Sequence, residues 1–240
     1  MTRVSRQKGF TLVELSLAMA FVSVLLLAIV MTAIQAGRIY NKGVVLESVN
    51  QAARDIGDSM RRDFMQSDAT RISDNGDGGS VILLRDGEVV SGRVCLGGYS
   101  YLWNAPSILE KALAGDPVSG PVVRQDSRVI NFVRVVDEGG SLCANNSGSY
   151  ETDIGTDRQV VSLLDEKGGQ GAVLAIHELS VVPIVHNDSN PEGLFRINYT
   201  VGTSVLAELN GQQCRPPSDA ESNDEFCAIN QFEMIVRTNG

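Results

Sequence analysis

Residues 15–37 read LSLAMAFVSVLLLAIVMTAIQAG, 23 successive positions without a formal charge. No other feature narrows the folding options of this chain as much. As a helix rising ~1.5 Å per residue, the run covers ~35 Å, enough to cross the ~30 Å hydrocarbon core of a bilayer. Residues 1–9 hold Arg3, Arg6 and Lys8 and no acid, and no cation follows the run until Arg38. The positive-inside rule keeps residues 1–9 in the cytoplasm and sends the rest across. A cleaved secretory signal has a shorter apolar core, ~7–15 residues, with a small-residue site at its far end. Here the one A-x-A, from Ala18 to Ala20, sits early in the run. An ordinary anchor fits the length but leaves Glu14 unexplained. An acid among apolar residues is costly in hydrocarbon and by default marks function.

The segment Lys8-Gly9-Phe10-Thr11-Leu12-Val13-Glu14-Leu15 resembles the cleavage region of type IV prepilins and type II secretion pseudopilins. The resemblance covers roughly residues 5–40 and joins a short basic leader, a Gly–Phe junction, an acid and an uncharged run. It implies that a membrane aspartyl peptidase cuts between Gly9 and Phe10 and that the same enzyme methylates the new amine of Phe10. It also implies that Glu14 is the glutamate used in filament assembly. Removing nine of the 240 residues leaves a mature chain of 231. The chemistry agrees with this. Glycine has no Cβ and accepts the extended geometry a protease needs. The new α-amine, with a reference pKa of ~7.7–8.0, is largely cationic at neutral pH. In a helix Glu14 projects back toward that amine, four residues away, and can neutralise it or a neighbour's. The plainer alternative is that Glu14 sits at the headgroup boundary. Many pilins carry a proline in the apolar run, whereas the first proline here is Pro106. Gly37, Gly43 and Gly57 are then the soft points of the helix, each costing ~1 kcal/mol relative to alanine.

Beyond the run the pattern turns amphipathic. Val45, Val49, Ala52, Ala53, Ile56, Met60 and Phe64 recur every three or four residues, with Glu47, Asn50, Arg54, Asp58 and Arg61 on the other side. This predicts a core-facing helix continuing to about Gln66. A turn-rich stretch at 73–80 follows. Strand patterns then occupy 81–85, 88–96, 128–137, 160–164, 172–185, 194–201 and 226–237, with a hairpin signal at Asp86-Gly87. Residues 107–114 read as one short helix, and 187–193 and 212–224 as polar loops. The predicted fold class is α+β, a long N-terminal helix whose amphipathic half packs on a mostly antiparallel sheet. The resemblance implies the same pilin-like architecture. The expected organisation is a leader at 1–9, a membrane and filament-core helix at 10–37, an amphipathic helix at 38–66 and a β-rich head at 67–240. Tyr99-Ser-Tyr-Leu-Trp103 is also similar to segments of larger minor pilins and pseudopilins.

Cys95, Cys143, Cys214 and Cys227 all lie beyond the apolar run, in what the orientation makes an oxidising compartment. No pair is C-x-x-C, and four cysteines allow three pairings. Pairing Cys214 with Cys227 closes a Pro-Pro, acidic loop, and the resemblance favours a disulfide-closed loop near the C-terminus. Pairing Cys95 with Cys143 closes a longer one. Free buried thiols are the alternative.

No catalytic constellation stands out, and the chain is not expected to be an enzyme. His177 and His186 lie nine apart with Pro183 between them. No G-x-S-x-G, H-E-x-x-H or P-loop is present. No metal site or cofactor is expected, with calcium as the one credible ligand. Asp74-Asn-Gly-Asp77 and the acidic stretch 219–225 offer hard oxygens, but neither matches an EF-hand. The sequons at Asn145, Asn187 and Asn198 carry no weight in a bacterial context. The net charge of −9 argues against nucleic acid as a partner. Function is therefore expected to be structural: a minor subunit of a type IV pilus that primes assembly near the tip. The alternative is a minor pseudopilin of a type II secretion system, or, in a different class, a membrane-anchored periplasmic enzyme or binding protein. The expected partners are the prepilin peptidase and methylase, other pilins or pseudopilins, the inner-membrane assembly platform and membrane lipid. The expected location is the inner membrane, with the head in the periplasm, and then the pilus or pseudopilus.

Overall fold

The structure is a computed structural model. It describes residues 11–145, 149–164, 173–185, 192–206, 209–210, 213–219 and 222–239. The fold is α+β, and the chain divides into two units, Met1–Asn41 and Lys42–Gly240. Helix α1 (Leu12–Met65) supplies the whole described part of the first unit apart from Thr11. From Thr11 to Tyr40 every residue is exposed, large apolar side chains such as Phe21, Leu27 and Ile34 included.

In the second unit the amphipathic stripe of α1 faces inward. Val45, Val49, Ala53, Ile56, Met60 and Phe64 are all buried. They pack on two antiparallel sheets. The first has the order β1-β2-β3-β6-β7. Its strands are β1 (Ile82–Asp86), β2 (Glu88–Cys95), β3 (Tyr99–Asn104), β6 (Phe132–Val136) and β7 (Val160–Leu164). The second has the order β12-β9-β8, built from β8 (Leu174–Val185), β9 (Leu194–Thr203) and β12 (Ile229–Arg237). One core joins the stripe to the inner faces of both, through Val94, Tyr101, Trp103 and Phe132 on one side and Ile176, Phe195, Ile197 and Val201 on the other. A second core lies on the opposite face of the larger sheet, where Leu102, Val133 and Val135 meet Ile130, Leu142 and Ile154.

The hairpin at Asp86-Gly87 forms as expected: Asp86 pairs with Glu88, and Gly87 turns the chain at φ +75°. Helix α2 (Pro106–Ala114) begins on its proline and ends on Gly115, which sits in the left-handed region at φ +79°. Several expectations change. The expected strand at 128–137 is broken, because β4 (Arg124–Gln125) and β5 (Arg128–Val129) form their own hairpin before β6 starts. Part of the expected loop at 212–224 is strand: β11 (Gln213–Cys214) pairs with β10 (Leu209–Asn210). Strand β3 had no strand pattern because five of its six residues are buried, leaving no polar alternation to read. The helix runs unbroken through Gly37, Gly43 and Gly57. Gly57 is a point of close approach: a Cβ there would lie 2.7 Å from the hydroxyl of Tyr199.

Candidate functional site

The start of α1 is the first candidate. The proposed junction, Gly9 and Phe10, lies outside the described residues, as do Arg3, Arg6 and Lys8. Glu14 is described. Its Oε2 accepts from the backbone N–H of Thr11 at 2.9 Å and from the Thr11 hydroxyl at 3.0 Å, and its own N–H donates back to Thr11 Oγ1 at 3.2 Å. This is a reciprocal capping box, which uses the orphan N–H groups of a helix start. The T-x-x-E spacing that signals it was legible at Thr11–Glu14. Glu14 therefore has a partner within its own chain, and a carboxylate there also suits the positive end of the helix dipole.

The second candidate is a polar lock under the helix. Asp63 interrupts the apolar stripe and is buried. Its Oδ2 accepts from Arg134 Nε at 2.5 Å and from the Tyr101 hydroxyl at 2.6 Å, and its Oδ1 accepts from Arg134 Nη2 at 2.9 Å. The Arg134 guanidinium lies 3.8 Å from the centre of the Tyr99 ring. Burial, reinforced by the neighbouring Asp63 carboxylate, pushes the Tyr101 phenol well above its usual range. The hydrogen bond to Asp63 raises the Arg134 guanidinium further, so its positive charge persists at ordinary pH. The arrangement fixes α1 to β3 and β6 and offers no accessible reacting group.

A third cluster secures the chain that crosses the far face of the larger sheet. Cys95 and Cys143 are joined there, with Cα atoms 6.1 Å apart. Asp137, buried beside them, accepts from the Ser141 N–H and hydroxyl, the Ser100 hydroxyl and the Leu142 N–H. Burial opposes its ionisation. The hydrogen bonds from Ser141, Ser100 and Leu142 and the charge of Arg158 outweigh that, so its carboxyl lies below the usual range. Arg93, fully buried on β2, donates through Nη1 to the carbonyls of Leu142 at 2.5 Å and Glu151 at 2.8 Å. Its Nε and Nη2 have no hydrogen-bond partner among the described residues. Burial brings this guanidinium down to about 10.

Cys214 and Cys227 form the other disulfide, with Cα atoms 5.8 Å apart. All four cysteines are paired, so the free-thiol alternative is set aside. Within the same loop the Asp224 carbonyl accepts from Lys42 Nζ at 2.8 Å. The disulfide loop thus rests against the helix.

The remaining sequence candidates are not drawn together. His177 sits at a bulge in β8, where its Nε2 lies 2.9 Å from the Thr203 carbonyl and burial lowers its pKa. His186 lies outside the described residues, as does the sequon residue Asn187. In the loop at 74–77, Asp74 Oδ1 accepts from the Gly76 N–H, and Asn75 Oδ1 from those of Asp77 and Gly79. These oxygens brace a turn. Of the acidic stretch 219–225, residues 220 and 221 lie outside the described residues, and Asp219 pairs with Arg215 at 3.4 Å. No group of three or more metal-binding side chains occurs among the described residues.

One helix near the N-terminus, α1, is long and apolar enough to cross a membrane. No protein-family model matches the chain, and no curated protein or solved structure matches it at a significant level.

Proposed function

We propose that the chain is a minor structural subunit of a type IV pilus, processed between Gly9 and Phe10 and active in filament assembly. The observation that carries this reading is Glu14, a lone acid opening an uncharged 23-residue run, four positions after a Gly–Phe junction preceded only by basic charge. Thirty consecutive exposed residues from Thr11 to Tyr40 support it, because an apolar helix of that length needs lipid or other helices around it. In the unassembled chain Thr11 occupies the Glu14 carboxylate. A neighbour's N-terminal amine would replace two neutral donors with a cation, a stronger partner for a carboxylate in a low dielectric. The positive-inside rule would place the head outside the cytoplasm. The peptidase and methylase act first on this reading, then the assembly platform and other pilins. A head of this size crowds a densely packed shaft but has room at a tip, which favours a minor role.

The test is Glu14→Gln. The variant keeps the size and a hydrogen-bonding group but loses the charge. Insertion and cleavage should persist while the amount recovered in sheared filaments, measured by quantitative mass spectrometry, falls sharply. Recovery at the wild-type level would overturn the proposed role of Glu14. Wild-type stoichiometry equal to that of the main filament protein would overturn the minor role.

A further inference from the structure

An open groove of about 380 Å³ lies among α2, the β4–β5 hairpin and the start of β8. Its volume falls in the lower part of the ~300–1,000 Å³ range typical of ligand clefts. Leu109, Leu113, Val118 and Val129 supply apolar lining, and Leu113 is 56% exposed. Arg124 and Arg128 also line the groove, with Asp116 the one acid among its lining residues. Arg124 has one contact there, from Nη2 to the Val118 carbonyl at 3.3 Å, and Arg128 makes no ion pair among the described residues. Cations are scarce on this body: residues 10–240 hold 29 acids against 17 bases. Two arginines beside one apolar cleft therefore stand out against an otherwise repelling field.

The hairpin that carries both arginines is held in an uncommon conformation. Asp126 and Ser127, neither of them glycine, both have positive φ, 50° and 67°. That is the left-handed geometry a tight two-residue hairpin demands, and it is strained for ordinary side chains. The surrounding chain enforces it. The Arg124 N–H donates to the Thr152 carbonyl at 2.8 Å, and the Arg124 carbonyl accepts from the Ile154 N–H at 2.9 Å. The backbone of the hairpin that carries the arginines is thus tied down beside the groove through Arg124, which lowers part of the ordering cost of binding.

We propose that this groove binds an extended peptide segment of another protein that presents an apolar side chain next to carboxylates. The apolar side chain would lie on Leu109, Leu113 and Val129, and the carboxylates would meet the guanidinium groups of Arg124 and Arg128, which can hold them by paired N–H donors. The assignment rests on the groove's charge and shape and is independent of the filament reading.

The test uses the full chain in nanodiscs and a synthetic probe, fluorescein-labelled Gly-Asp-Leu-Glu-Phe-Asp-Gly carrying a benzophenone on the Phe position. A control peptide has lysine in place of each acid. The acidic peptide should bind saturably, weaken as salt rises, and cross-link to residues 106–118 or 124–129. Binding should weaken about tenfold in Arg128→Glu, where a charge-assisted contact is reversed, and comparably in Leu113→Asp. Both positions are exposed, so the variants should melt as the wild type does. Equal binding of the lysine peptide, equal binding by both variants, cross-links confined elsewhere, or uptake by empty nanodiscs alone would each overturn the proposal.

Discussion

Replacing Gly57 with alanine separates two opposing effects on one atom. In an unhindered helix interior the change gains ~1 kcal/mol, since glycine is the poorer helix former. Here the new Cβ would lie 2.7 Å from Tyr199 Oη, 3.8 Å from Tyr199 Cζ and 3.9 Å from Met234 Sδ. A methyl group and a hydroxyl oxygen need well over 3 Å. The tyrosine cannot swing away freely, because its ring is stacked on Phe232 with centroids 5.4 Å apart and its hydroxyl donates to the Ala53 carbonyl at 2.8 Å. Overpacking of this kind costs ~1–3 kcal/mol, and breaking the buried hydrogen bond costs another ~1 kcal/mol or more. The net is a loss of about 1–3 kcal/mol, or a melting temperature lower by about 2–12 °C. Tyr199→Phe removes the obstructing atom. In that background Gly57→Ala should be neutral or stabilising by up to ~1 kcal/mol. Thermal and urea unfolding of the full chain in detergent, followed by near-UV circular dichroism, reads all four proteins of the cycle. Stabilisation by Gly57→Ala alone, or the same effect in both backgrounds, would refute the close-approach account.

Asp63→Ala should lower stability by about 3–5 kcal/mol, because it leaves the Arg134 guanidinium and the Tyr101 hydroxyl without their shared partner; an unchanged urea midpoint would show that the lock contributes nothing. Asp137 has a depressed folded-state pKa, so its contribution is fully present above the unfolded-state value near 3.9 and is lost as pH falls through the folded-state value. The stability difference between wild type and Asp137→Asn should accordingly be constant above about pH 5 and shrink below pH 4. A difference that stays flat to pH 2, or grows on acidification, would contradict the assigned hydrogen bonds.

What was legible depended on whether a residue's role is local. The stripe from Val45 to Phe64 announced itself because helical packing repeats every three or four positions. Gly87 and Pro106 marked turns and helix starts by their own backbone limits. Strand β3 was hidden because both faces of Tyr101, Leu102 and Trp103 are covered, which erases alternation. The division into two sheets was also hidden, since it depends on pairings such as Phe195 with Val236, far apart in sequence. Asp63 could have been noticed as an acid on an apolar face, yet its partners Tyr101 and Arg134 are known only from the folded chain. The same holds for Gly57, where a helix-weakening residue proves to be the space that Tyr199 occupies. The cysteine pairing stayed open among three until the fold brought Cys95 to Cys143 and Cys214 to Cys227.

On the proposed function, the chain enters the membrane as a precursor and leaves it as a filament subunit. The most direct measurement is the intact mass, with N-terminal sequencing, of the protein extracted from membranes that contain the prepilin peptidase. The expected product is a 231-residue chain that begins at Phe10, heavier than its sequence by the CH2 of one N-methylation and lighter by the four hydrogens lost in its two disulfides. A chain that still carries Lys8 and Gly9, or one that begins near residue 37, would contradict it.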